Sequence, residues 1–260
     1  MASLDWLVVS VTSFTIFQIL FHYLSAKISI YFCNGYRTLT DFQKIEWNSR
    51  VVSTFHALLV GVVCLYLLWY DDAVNADPLW GNPTRVKLNV GLAAGYLFSD
   101  LLLLLWYWQA IGDMYFIIHH LTALYAYYYV LGEGMLPYFA NFRLIAEFST
   151  PFVNQRWFLE ALCYPKTSKP NIINGLLMAM IFFLARIAVM PLYYNKMIST
   201  FGTEAFSKLG LRAQFAWITV SICLDVMNVM WMYKIGKGCN KVLIACKKEM
   251  ADVQENGKQQ

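Results

Sequence analysis

Four histidines, a small set of acids and two arginines stand inside runs of apolar residues in this chain, and their types could do chemistry. The sharpest signal is the adjacent pair His119-His120. Neighbouring residues on a helix point about 100° apart, so the two imidazoles belong to different stripes. Tyr115, His119 and Thr122 form one stripe, and Phe116, His120 and Leu124 form the other. One histidine is expected to line a cavity while the other bonds a neighbouring helix. An imidazole in a dry cavity can serve as general base, nucleophile or metal ligand. His22 and His56 stand in similarly apolar surroundings, as do Asp100, Arg143, Glu147, Arg186, Asp225, Asn154 and Asn228.

Several chemistries are excluded by what is missing. Four histidines are too few for a membrane di-iron site. No HExxH spacing supports zinc, so no metal site is expected. There is no phosphate-binding loop, no GxSxG elbow and no GxGxxG after a strand. Acyl transfer centred on a histidine stays open. The bland alternative is packing: Arg143 and Glu147, four apart, can pair along one helix face. Arg186 can then meet Asp225 or Glu147 from another helix.

The elements that position these residues follow from composition. Hydrophobic residues make up 59% of the 260 and charged residues 14%, against about 25% charged in soluble domains. The mean hydropathy of +0.48 agrees. These values predict an all-α, polytopic transmembrane helix bundle with no β-sheet. A crossing helix needs about 20 mainly apolar residues, and seven stretches meet or approach that length. They lie near Trp6–Leu24, Val51–Tyr70, Val86–Trp108, Met114–Leu131, Leu136–Val153, Ile172–Leu192 and Ala213–Tyr233. The fourth and fifth are shorter, split by Gly132-Glu133-Gly134 and Pro137, and could also form one re-entrant hairpin.

Ionisable groups at such depth cost about 2.5–3.5 kcal/mol each on insertion scales, so they are expected to face the bundle interior. Pro151 and Pro191 free the carbonyls of Glu147 and Ile187 beside buried charges, consistent with a polar pocket. Gly91 and Gly95 form a GxxxG that admits a neighbouring backbone.

Lysine and arginine are asymmetric across the membrane. With the N-terminus lumenal, the inner loops and tail hold Lys27, Arg37, Lys44, Arg50, Arg156, Lys166, Lys169 and the six lysines from Lys234 to Lys258. The outer loops hold only Arg85, Lys87, Lys196, Lys208 and Arg212. That bias places the C-terminus in the cytoplasm. The start, Met1 to Asp5, lacks the basic region of a cleavable signal peptide. From residue 235 the chain turns polar and is expected to be a short helix fraying into disorder. Its Cys239 and Cys246, among lysines, permit S-palmitoylation. A net charge of +4 without a basic, aromatic-rich face argues against nucleic acid as a partner.

Several stretches in order resemble one family. Trp47-Asn48-Ser49-Arg50 with Ser53, His56 and Ala57 is similar to the opening of a TLC domain. Gly95-Tyr96 with Asp100 is similar to its third-span motif, and His119-His120 with Thr122 to its double histidine. The stretch Glu147 to Asn154 and Asn228 with Trp231 resemble further positions. The resemblance implies three parts: residues 1–41 as an N-terminal transmembrane helix and loop, 42–234 as the TLC-type bundle, and 235–260 as a polar cytoplasmic tail. It also implies an endoplasmic-reticulum membrane, lipid homeostasis or metabolism, and membrane lipids as partners.

Ceramide synthases in this family acylate a sphingoid base from acyl-CoA. Their double histidine and Asn…Arg segment match His119, His120, Asn141 and Arg143, whereas their His-Asp…Asp cluster has no counterpart in Glu147-Phe148-Ser149-Thr150-Pro151. Three readings follow. The first is a lipid-binding, lipid-sensing or lipid-handling bundle whose pocket draws on His56, Tyr96, Arg143, Asn154, Arg186, Asp225 and Asn228. The second is an acyl-CoA-dependent acyltransferase using His119, His120, Asp100 and Glu147, with acyl-CoA as co-substrate. The third is a non-enzymatic scaffold. Oligomeric state is not legible in the sequence.

Overall fold

The computed structural model describes the backbone of residues 5–257 and the side chains of residues 5–247. Residues 1–4, used above against a signal peptide, and Lys258 lie outside the described residues.

Among these residues there are helices and no strands. Five helices are long and apolar enough to cross a membrane: α1 (Asp5–Phe32), α2 (Asp41–Tyr70), α3 (Thr84–Trp106), a later helix Lys169–Ile198 and the last one, apolar over Gly210–Lys247. Between α3 and the later pair lie the expected fourth and fifth spans. The fourth is α4 (Met114–Tyr128), carried on by a π-helical turn, Tyr129–Glu133. The fifth is broken into α5 (Pro137–Arg143), a 3-10 stretch Leu144–Ser149 and α6 (Thr150–Ala161). Lys169–Ile198 is then α7, and α8 runs Gly210–Gly257.

Local chemistry sets the boundaries. Thr40 caps α2 in a reciprocal box with Gln43, which satisfies two otherwise orphaned donors. Asp113 caps α4, its carboxylate accepting from the Tyr115 amide at 2.7 Å. Pro137 opens α5 after two residues in left-handed conformation, Gly134 (φ 73°) and Leu136 (φ 60°). Leu136 is held there because its amide donates to the Leu79 carbonyl at 2.8 Å. Both deep prolines sit beside departures from α geometry. Pro151 follows the 3-10 stretch, and Pro191 follows a π turn, Phe183–Ile187, in which the Ala188 amide reaches back to the Phe183 carbonyl at 2.8 Å.

The Gly91–Gly95 face of α3 receives α1. A Cβ on Gly91 would come 3.1 Å from the Trp6 carbonyl, and one on Gly95 would strike the Ser10 carbonyl and Ser13. At this crossing the Ser13 hydroxyl donates to the Leu92 carbonyl at 2.7 Å. The main apolar core gathers Phe17, Val60, Val90 and Val130 from α1–α4 and its π turn. A second joins Phe139, Tyr193, Met197 and Trp217 from α5, α7 and α8. Val8, Val11 and Val62 face outward, as they must if lipid surrounds them.

The tail differs from the sequence expectation. Instead of a short separate helix, α8 continues without a break from Gly210 to Gly257. No proline interrupts it, and alanine, lysine, glutamate and methionine sustain the helix past Gly236 and Gly238.

Candidate functional site

α3 and α4 bring the double histidine to an acid. The His120 Nε2 atom lies 2.9 Å from Asp100 Oδ2, and its Nδ1 lies 2.7 Å from the Phe116 carbonyl. A carbonyl can only accept, so Nδ1 carries a proton. Nε2 shares the other proton position with the carboxylate. Both nitrogens of His120 are therefore engaged. The Ser49 hydroxyl donates to the other Asp100 oxygen at 3.4 Å.

His119 points elsewhere. Its ring meets Trp231 edge-on at 5.6 Å, and its buried Nδ1 has no hydrogen-bond partner among the described residues. The adjacent histidines thus divide: one is tied to α3, and the other presents an unused nitrogen.

Two cavities meet at His119. The larger, about 470 Å³, is lined by Tyr96, Asp100, His119, His120, Glu147, Asn154 and Arg186, with Glu46 and Arg50 from the N-terminal part of α2 and Trp231 and Lys234 from the middle of α8. The narrower, about 100 Å³, is lined by Ala126, Val130, Phe139, Arg143, Trp217, Leu224 and Asn228. Leu97, His119, Glu147 and Arg186 border both. The larger space is the more polar of the two and the narrower is mainly apolar, and they adjoin across a neck that carries two charged side chains.

Chain geometry explains which charges pair. Arg143 and Glu147 do not pair, contrary to the sequence expectation, because the chain between them is 3-10 rather than α. At three residues per turn, positions four apart no longer share a face. Arg143 reaches α8 instead: its Nη1 and Nη2 donate to Asp225 at 2.5 and 3.0 Å, over the Tyr193 ring at 3.9 Å. Arg186 meets Asn228 rather than Asp225. Its Nη1 donates to Asn228 Oδ1 at 3.0 Å, and its Nε to the Ser149 hydroxyl at 2.8 Å. Glu147 accepts from the Thr150 hydroxyl at 3.0 Å.

The remaining expected residues fall around this centre. His56 borders neither cavity; it is buried behind Tyr96, whose ring stacks on it at 3.8 Å. Asp225 holds Arg143 and borders a shallow outer groove. Asn154 pins α6 to α2, its amide donating to the Arg50 carbonyl at 3.1 Å and to Thr54 at 3.0 Å. Among the described residues no group of three or more His, Cys, Asp or Glu could hold a metal ion.

Sequence reasoning missed Arg50 and Glu46. Arg50 counted as a loop cation and as part of the family motif but not as a site residue, yet it borders the larger cavity, paired with Glu46 at 2.7 Å and lying 5.0 Å over Trp157. The i,i+4 spacing of Glu46 and Arg50 was the available signal. Ser149, which accepts from Arg186, carried no signal of its own.

A family model described as the TLC domain matches residues 46–237. The chain belongs to the TLC domain family. It is 64% identical over 250 residues to TLC domain-containing protein 4-B of Xenopus laevis, covering 96% of this chain and 95% of that one. It is 52% identical over 255 residues to human TLC domain-containing protein 4, covering 97% of both. A more distant relative is Topoisomerase I damage affected protein 4 of Saccharomyces cerevisiae, 27% identical over 233 residues, covering 86% of this chain and 80% of that one. No solved structure matches. Membership of the TLC domain family and the apolar helices together make this an integral, multi-pass membrane protein.

Proposed function

We propose that this protein serves lipid homeostasis by binding, sensing or handling an acyl lipid inside the helix bundle. The head group occupies the polar cavity and part of the chain enters the apolar chamber. One observation carries the reading: a space of about 470 Å³ bordered by several charged side chains adjoins a more apolar one of about 100 Å³ across a shared neck. Such a pair of spaces matches an amphiphile. The membrane is that of the endoplasmic reticulum, as the family resemblance implies, and the lysine and arginine bias supports a lumenal N-terminus and a cytoplasmic tail.

The test is mass spectrometry of lipids co-purified in mild detergent, wild type beside Ala126→Phe, which narrows the apolar chamber. Retained acyl lipid should fall several-fold in the variant while it elutes as a folded species. Equal retention by both would refute internal binding.

The unpartnered Nδ1 of His119 favours a second reading, an acyl-CoA-dependent acyltransferase. His119 would attack the thioester carbonyl of acyl-CoA and take the acyl group as the CoA thiol leaves, or activate an amine or hydroxyl acceptor, with Glu147 bordering the same two cavities. His120 and Asp100 would then hold the neighbouring helix in place. An acyl adduct on His119, lost in His119→Ala, is the expected signature; incubation with acyl-CoA that yields no adduct and no acylated product refutes it.

A further inference from the structure

Arg186 is 8% exposed, sits in the π turn of α7 and borders both cavities. Its hydrogen-bond partners, the Ser149 hydroxyl and the Asn228 amide oxygen, are neutral. Its Nη2, with two more N–H groups, has no hydrogen-bond partner among the described residues. Glu147 borders the same two cavities, and its hydrogen bond comes from the neutral Thr150 hydroxyl. Among the described residues no ion pair involves either side chain.

Three other charges bordering the cavities are ion-paired, since Asp100 meets His120, Arg50 meets Glu46 and Arg143 meets Asp225, while Lys234 lies 4.7 Å over the Tyr115 ring. Two opposite charges face one neck and attract each other across it without closing an ion pair, while the Phe182 and Trp231 rings lie 5.0 and 5.8 Å from the Arg186 guanidinium. Charges drawn out of water need compensation by an opposite charge, and these two can receive it from a ligand that carries both signs.

We propose that the neck recognises a zwitterionic lipid head group, with a phosphate or carboxylate against Arg186 and an ammonium against Glu147. This rests on the internal-lipid reading above and adds the class of head group. A purely anionic lipid satisfies Arg186 but meets the Glu147 carboxylate. A neutral glyceride satisfies neither. Arg186 is suited to the anion because its planar fork offers two parallel donors. The adjoining apolar chamber then takes part of one chain of the same molecule.

The experiment uses the full chain in detergent, delipidated and then exchanged with equimolar phosphatidylethanolamine, phosphatidylglycerol and diacylglycerol, with retained lipid read by mass spectrometry. A lysolipid carrying ammonium and phosphate but one chain, added in a parallel arm, separates the head group's contribution from that of the second chain. Wild type should favour phosphatidylethanolamine over both others by about tenfold, the worth of one charge-assisted hydrogen bond. Glu147→Gln keeps the shape and the Thr150 contact, and should bring phosphatidylglycerol level with or above phosphatidylethanolamine. Arg186→Gln should lower both phospholipids toward diacylglycerol. If Arg186→Gln does not fold, the Glu147→Gln reversal decides alone.

An unchanged ethanolamine-to-glycerol ratio in Glu147→Gln overturns the proposal. Lipid that is retained but indifferent to head group overturns it while leaving internal binding intact. Retention that Ala126→Phe does not reduce refutes the internal-lipid reading itself.

Discussion

The Arg143–Asp225 pair offers the clearest measure of what holds the polar interior together. Asp225→Ala removes both acceptors of the guanidinium, which lie at 2.5 and 3.0 Å. It leaves a cation whose side chain is only 19% exposed. Breaking a buried pair from one side costs about 3–5 kcal/mol, because the surviving charge stays desolvated. Two contacts soften the loss: the Tyr193 face at 3.9 Å and the Ser221 carbonyl at 3.4 Å from Nη2. The lower end, about 3 kcal/mol, is therefore expected. For a chain of this length about 2–4 °C of melting temperature accompanies each kcal/mol, so the midpoint in detergent should drop by about 6–12 °C.

The double variant Arg143→Met/Asp225→Leu removes both charges and keeps volume. Replacing a buried pair by apolar groups is often neutral, so it should melt closer to wild type than Asp225→Ala does. Differential scanning fluorimetry on the three proteins in one detergent checks this. If the double variant loses as much as Asp225→Ala, the loss comes from packing and the stranded-charge argument fails.

Two further predictions concern the double histidine and the first helix crossing. His120→Ala strands Asp100 and should lower the melting midpoint by several degrees, for about 1–3 kcal/mol; His119→Ala, with no hydrogen bond at Nδ1, should lower it by less. Equal losses would contradict the division of the pair. Gly95→Val places a side chain against the Ser10 carbonyl and Ser13, so hydrogen exchange over residues 5–19 should rise at least tenfold. Gly175→Ala, where an added Cβ meets nothing within 4 Å, should leave that exchange unchanged.

Much of the site is legible residue by residue. Most expensive groups at depth face inward, with His22 the exception on an exposed face of α1, and the larger cavity collects His119, His120, Asp100, Glu147, Asn154 and Arg186 from that inventory. The i,i+4 relation of Glu46 and Arg50 was also present, but a positive-inside count absorbed Arg50 as a loop charge. His56 shows the opposite outcome: an ionisable type at depth that packs against Tyr96 and borders neither cavity. Residue type reports the cost of burial, and it does not say whether a ring, a cavity or another charge meets that cost.

The sequence alone determined the helices and their membrane character, because hydrocarbon thickness and backbone hydrogen bonding constrain each segment independently of its neighbours. It also determined where α geometry would strain, at Pro151 and Pro191. The tertiary structure alone decided the partners. Arg143 finds Asp225 across 82 residues of chain rather than Glu147 four residues on, because the 3-10 stretch between them turns the acid to another face. The π turn holding Arg186 likewise sets which part of α8 it meets, and Asn228 takes the place expected for Asp225. Side-chain direction depends on accumulated helical phase and on how far one helix slides past another. Neither quantity is local, so charges that the sequence supplied for pairing remain unpaired at the neck of the cavity.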